Sequence, residues 1–166
     1  PKDIDSAKAL AHKADDRLRK EFEKWAILTY TNNRGIVNEK KGSDGGQDGF
    51  AFFRDLDNKL CKIIFSVKSG HVGVKDIRDF ISVINKKGDE SAVGFFITLE
   101  ESTKPMDLEA ASVGFYTDKT GKSVPKVNII TINSILEGSR LSISLTHDVL
   151  KKAERIAPED QQLELL

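Results

Sequence analysis

The chain has 166 residues, enough for one domain with a substantial core and short for two. Its 26 basic and 26 acidic residues cancel, which excludes retention of a nucleic-acid partner by a globally basic surface; a local patch would have to do it. One cysteine, Cys61, excludes an internal disulfide and a cysteine zinc site, and no apolar run approaches the roughly 20 residues of a membrane span.

With no signal peptide at its start, the chain is expected in the cytoplasm, with no membrane partner. It opens at Pro1 without methionine, as a processed chain or a domain cut from a longer one would.

The first predicted element is a helix from Ser6 to about Tyr30. Ala7, Leu10, Ala11, Ala14, Leu18, Phe22, Trp25 and Ala26 recur at spacings of three and four, Asp5 or Ser6 caps the start, and Asn32, Asn33 and Gly35 end it. A short extended piece near Ile36 to Asn38 leads into the run "KGSDGGQDGFAFF", residues 41–53. Gly45, Gly46 and Gly49 allow a tight turn and close approach, and Asp48 stands at the mouth of a strand.

In that strand Phe50 and Phe52 alternate with Ala51 and Phe53, so both faces are apolar and expected to be covered. In "CKIIFSVK", Cys61, Ile63, Phe65 and Val67 share one face, and Lys62, Ile64, Ser66 and Lys68 the other. The short link "DLDNK" predicts an antiparallel hairpin. A helix follows over "VKDIRDFISVINKKG", with Val74, Ile77, Phe80, Ile81 and Ile84 inward and Gly88 as its stop. "AVGFFIT" reads as a third strand and "KPMDLEAASVG" as a helix with Pro105 at its start. "KVNIIT" reads as a fourth strand, followed by a short helix over Ile132 to Glu137. Met106, Ala110 and Phe115 are expected in the core. The order predicts an α/β fold, a mixed central sheet flanked by helices, over residues 1–156, with a polar tail at 157–166.

Asp48 and Lys68, at neighbouring strand ends, are the parts that phosphodiester hydrolysis needs. A carboxylate can hold Mg²⁺ through oxygen, and a lysine can orient water or offset charge on phosphate. The same residues also read as a hairpin turn and a solvated lysine. Asp44, Asp48 and Asp55 do not make a calcium loop, because Gly46 takes its third position and the twelfth is Asp rather than Glu. No Gly-Lys-Ser/Thr follows the glycines, so they form no P-loop. His12 and His147 lack metal-binding spacing.

"GSDGGQDG" followed by a strand ending in "SVKSG" resembles the Mrr-like branch of the PD-(D/E)XK restriction-endonuclease superfamily. The run "TLEESTKPM…EAASVGFY" looks like nuclease domains associated with restriction-modification DNA methyltransferases. The similarity spans roughly residues 20 to 138. It implies a restriction-endonuclease-like fold and cleavage of double-stranded DNA with Mg²⁺, or Mn²⁺. It further implies a metal-binding Asp48, a catalytic Lys68, and Glu23 of "EFEKWA" as a further ligand. A methyltransferase domain or subunit and a second copy of the chain are possible partners.

One departure stands out. The superfamily places Glu or Gln two residues before the lysine, and here that site is Ser66, a weaker neutral ligand. Ser69, His71, Lys75 and Arg78 cluster beyond the strand end, where they would contact DNA phosphates. Lys75 and Arg78 also read as solvated helix charges, and Arg78 with Asp79 as a tie between helix and sheet edge. Lys104 and Glu109 follow a buried strand, where a loop can meet DNA or a partner.

Overall fold

The computed structural model describes residues 1–13, 15–39, 46–85 and 92–146. Ala14, Asp44, Gly45, Gly88, His147 and the expected tail at 157–166 lie outside the described residues.

The predicted first helix is two. α1 spans Ile4–Ala11 and α2 spans Asp16–Tyr30. Each has its own acidic cap, and these caps explain the break. Asp3 accepts from the Ser6 N–H at 2.8 Å, and Asp15 accepts from the Arg17 N–H at 2.8 Å. An Asp that satisfies orphan N–H groups starts a helix better than it continues one.

The hairpin forms as predicted, with β2 (Gly49–Arg54) antiparallel to β3 (Leu60–Lys68). β1 (Ile36–Val37) lies on the far side of β2. After β3 come α3 (Val74–Asn85), β4 (Ala92–Thr98), α4 (Lys104–Ala111), β5 (Phe115–Thr117), β6 (Ser123–Pro125), β7 (Val127–Thr131) and α5 (Ile132–Leu136). The central sheet runs β1-β2-β3-β4-β7. β3, β4 and β7 are parallel, while the hairpin side is antiparallel, so the sheet is mixed.

Helices cover both faces. Phe22, Ala26, Ile27 and Tyr30 of α2 pack with Ala7, Ala11, Ile132 and Ile135 against Phe65, Val67, Phe95 and Ile97. On the other face Ile77, Phe80 and Ile84 of α3 and Met106 and Ala110 of α4 enclose Ile64, Phe96 and Val127. Ring contacts fasten the first layer, Tyr30 to Phe95 at 5.6 Å and Phe65 to Phe95 at 5.7 Å.

Two expectations about faces are corrected. Phe50 and Phe52 are half-buried while Ala51 and Phe53 are buried, so only one face of β2 is fully covered. The two rings pack edge to face at 5.8 Å, and the Lys62 ammonium lies 4.9 Å from the Phe50 ring. A cation over a ring face supplies cover where no helix does. Phe115, expected in the core, is 67% exposed, because it opens the β5–β6 hairpin on the surface. No apolar alternation marks those two three-residue strands, which the sequence reading missed. Among the described residues no helix is long and apolar enough to cross a membrane.

Gly49 sets the spacing at the head of β2. A Cβ there would stand 2.7 Å from the Ile36 carbonyl oxygen and 2.9 Å from Ile27 Cδ1. The first contact is backbone and cannot rotate away. Gly49→Ala is therefore expected to lower unfolding stability by about 2 kcal/mol through overpacking, read as a lower urea midpoint with unchanged slope. An unchanged midpoint would show that β1 yields freely.

Candidate active site

Lys68 ends β3, and its backbone is anchored there. It pairs with Thr98, and its carbonyl accepts from the Leu99 N–H at 3.1 Å. Strand alternation puts Ser66 and Lys68 on the α3 face, with Phe65 and Val67 on the α2 face. Asp48 comes one residue before the last β2–β3 pair, Gly49 with Phe65.

Three bonds hold Asp48. Its N–H donates to the Phe65 carbonyl at 2.8 Å, and its carbonyl accepts from the Asn38 N–H at 2.9 Å. Its Oδ2 accepts from the Val67 N–H at 2.7 Å. That distance is typical of a charge-assisted bond and fixes the carboxylate one residue from Lys68. The twenty-residue separation between Asp48 and Lys68 thus closes at one strand end.

Glu23 reaches the same place from α2. Burial raises its carboxyl, and the neighbouring Asp48 charge raises it further; Lys20 and Lys68 act the other way. Burial likewise raises Asp48, offset by the Val67 N–H and by the charges of Lys20 and Lys68. Two partly desolvated carboxyls, one of which feels the charge of the other, and two ammonium groups that act on both, define one electrostatic cluster. Lys20 Nζ lies 3.2 Å from Glu23 Oε2, and each of these side chains is 26% exposed.

On the α3 side of the same strand end a cleft of about 90 Å³ is lined by Gly46, Ser66, Lys68, Asp76, Asp79, Phe80, Val83 and Phe96. Ser66 is buried there and Lys68 is exposed. Asp48 and Glu23 do not line this cleft; Lys68 stands between the two settings.

The other expected contacts are more scattered. Ser69 is half-buried and its carbonyl lies 3.1 Å from His12 Nε2. His71 is exposed, with Nδ1 3.2 Å from Glu100 Oε2. Arg78 donates from Nε to Glu109 Oε1 at 3.3 Å and so ties α3 to α4. Lys75 is exposed. Neither Lys75 nor Arg78 lines the cleft, whereas the acidic pair of the same helix, Asp76 and Asp79, does.

Sequence reading gave Lys20 and Asp76 no role, set His12 aside for want of metal-binding spacing, and read Asp79 only as a tie to the sheet edge. Lys20 carried one signal, its place one turn before Glu23 on a helix, where side chains three apart meet. The other three required the packing of α1 and α3 at the end of β3.

The donor set suits a hard divalent cation. Glu23 and Asp48 offer carboxylate oxygens, and positive charge would relieve the desolvation of both and the repulsion felt by Glu23. Among the described residues no group of three or more His, Cys, Asp or Glu side chains is gathered for an ion. Two carboxylates are enough for Mg²⁺, which keeps several waters and shares the substrate's phosphate oxygens.

Comparison with known proteins yields two matches. The family model described as restriction endonuclease, Mrr_cat, matches residues 17–116. The solved structure described as "MspJI Restriction Endonuclease in Complex with 27-mer Oligonucleotide" superposes with a TM-score of 0.53 at 14% identity. That match covers 82% of this chain and 30% of the other, so the likeness is one of fold with under a third of the larger protein. No curated protein matches the chain.

Proposed function

Because this chain belongs to the restriction endonuclease family, we propose that it is a metal-dependent endonuclease domain that hydrolyses phosphodiester bonds in double-stranded DNA. The observation that supports this most is the anchoring of Asp48 on the Val67 N–H, with Glu23 and Lys68 in its electrostatic field.

Asp48 and Glu23 would hold Mg²⁺ or Mn²⁺. When bound, the ion supplies Lewis-acid polarisation of the phosphate and a water of lowered pKa. The bond from Val67 keeps Asp48 in one orientation, so no rotamer has to be frozen as substrate arrives. Lys68, exposed beside them, orients the attacking water or balances charge growing on the phosphate oxygens. Ser66, buried in the α3-side cleft that Asp48 and Glu23 do not line, offers only a neutral hydroxyl. Lys75, Arg78, Ser69 and His71 would meet phosphates flanking the scissile one, with Arg78 exchanging its Glu109 partner for DNA. This local attraction fits a chain with no net charge.

A second reading is favoured by Ser66 and by the absence, among the described residues, of a third clustered carboxylate. In it the domain binds DNA, or docks a methyltransferase subunit, without cutting. Supercoiled plasmid separates the two. The nuclease reading expects nicked and linear products with Mg²⁺ or Mn²⁺ and none with chelator. Salt-sensitive DNA binding without product at any divalent concentration would establish the second reading.

A further inference from the structure

Lys20 is ion-paired with Glu23, and nothing in the proposed chemistry uses it. Its ammonium is 3.2 Å from Glu23 Oε2, on a side chain only 26% exposed. An ordinary i,i+3 pair on a helix surface is solvated and contributes little. This one faces the strand end instead. The Lys20 charge also reaches Asp48, as does that of Lys68. Lys20 is therefore in contact with one of the two carboxyls that would ligate the metal, and its charge acts on the other.

We propose that Lys20 is an internal counter-ion of the metal site: its ammonium neutralises the Glu23–Asp48 pair in the metal-free protein and must move aside when a divalent cation binds. This rests on the assignment of those two carboxyls as metal ligands. Two like charges held together in a partly desolvated pocket repel, and a flexible lysine relieves this at the cost of one ion pair. A divalent cation entering the pocket then meets a resident positive charge. Metal affinity is lowered by that competition, and the folded protein is spared an uncompensated acidic cluster. In this role Lys20 is a positioning residue that acts through Glu23; Lys68 remains the residue that faces substrate.

The test is Mn²⁺ binding to the metal-free, DNA-free protein, followed by loss of the free-ion electron paramagnetic resonance signal. Lys20→Met keeps the length of the side chain and its helix preference but removes the charge. It is expected to bind Mn²⁺ about tenfold more tightly than the wild type, a gain that shrinks as KCl is raised. Lys20→Arg keeps the charge and is expected to stay within about twofold of the wild type. Asp48→Asn serves as the reference for the site and is expected to lose binding. Equal or weaker binding by Lys20→Met, with Asp48→Asn still deficient, would overturn the counter-ion role and leave the metal site standing. Binding untouched by Asp48→Asn would overturn the metal site itself, and the counter-ion with it. Absence of binding by both the wild type and Lys20→Met would do the same.

Discussion

Asp48→Asn is expected to reduce metal-dependent DNA cleavage by at least about a thousandfold, equivalent to ~4 kcal/mol of barrier, with little change in melting temperature. Asparagine is chosen because its carbonyl oxygen can still accept the Val67 N–H that Asp48 binds at 2.7 Å. The backbone bonds to Phe65 and Asn38 do not involve the side chain and persist. What disappears is the negative charge, and with it half of the carboxylate pair available to a cation. A folded, thermally stable variant that still nicks plasmid at the wild-type rate would remove Asp48 from the site. A variant that fails to fold would show instead that the charge itself supports the β2–β3 junction.

Lys68→Ala carries the second large effect and differs in kind. Cleavage is expected to fall by about a hundredfold to a thousandfold, as when a single charge-stabilising donor is removed. Metal binding should be retained or slightly tightened, because a positive charge acting on both Asp48 and Glu23 has been taken away. The Lys68 side chain is exposed, and its strand pairing and its bond from Leu99 are made by backbone. Stability should therefore change little. The informative comparison is Mn²⁺ affinity beside cleavage rate: Asp48→Asn loses both, and Lys68→Ala loses only the second. Parallel loss of both by Lys68→Ala would mean that the lysine organises the pocket rather than acting on substrate.

The hairpin, α3, β4 and the β7–α5 end were legible because each is written in apolar periodicity. Strand alternation alone put Ser66 and Lys68 on one face, and the short turn between β2 and β3 brought Asp48 opposite that end. Periodicity fails where geometry is decided by a polar side chain. The break between α1 and α2 depends on Asp15 accepting the Arg17 N–H, within a run whose apolar spacing continues across it. The β5–β6 hairpin is held by turns around Asp118, whose Oδ1 accepts from the Thr120 and Lys122 N–H groups, and so needs no buried stripe. Glu23 came from the family resemblance, since its place on α2 marks it no differently from Glu21. Lys20 was hidden for a related reason: a lysine one turn from a glutamate is ordinary until a second carboxyl, 25 or more positions away in the chain, is folded against the pair.

Metal-dependent cleavage requires one pocket in which the carboxyls of residues 23 and 48 share a cation beside the amine of residue 68. Anomalous diffraction from crystals equilibrated with Mn²⁺ addresses that requirement directly. The predicted result is a peak within coordination distance of Asp48 and Glu23, at the end of β3 next to Lys68. A peak held by other residues, or none under conditions where the protein cuts DNA, would contradict it.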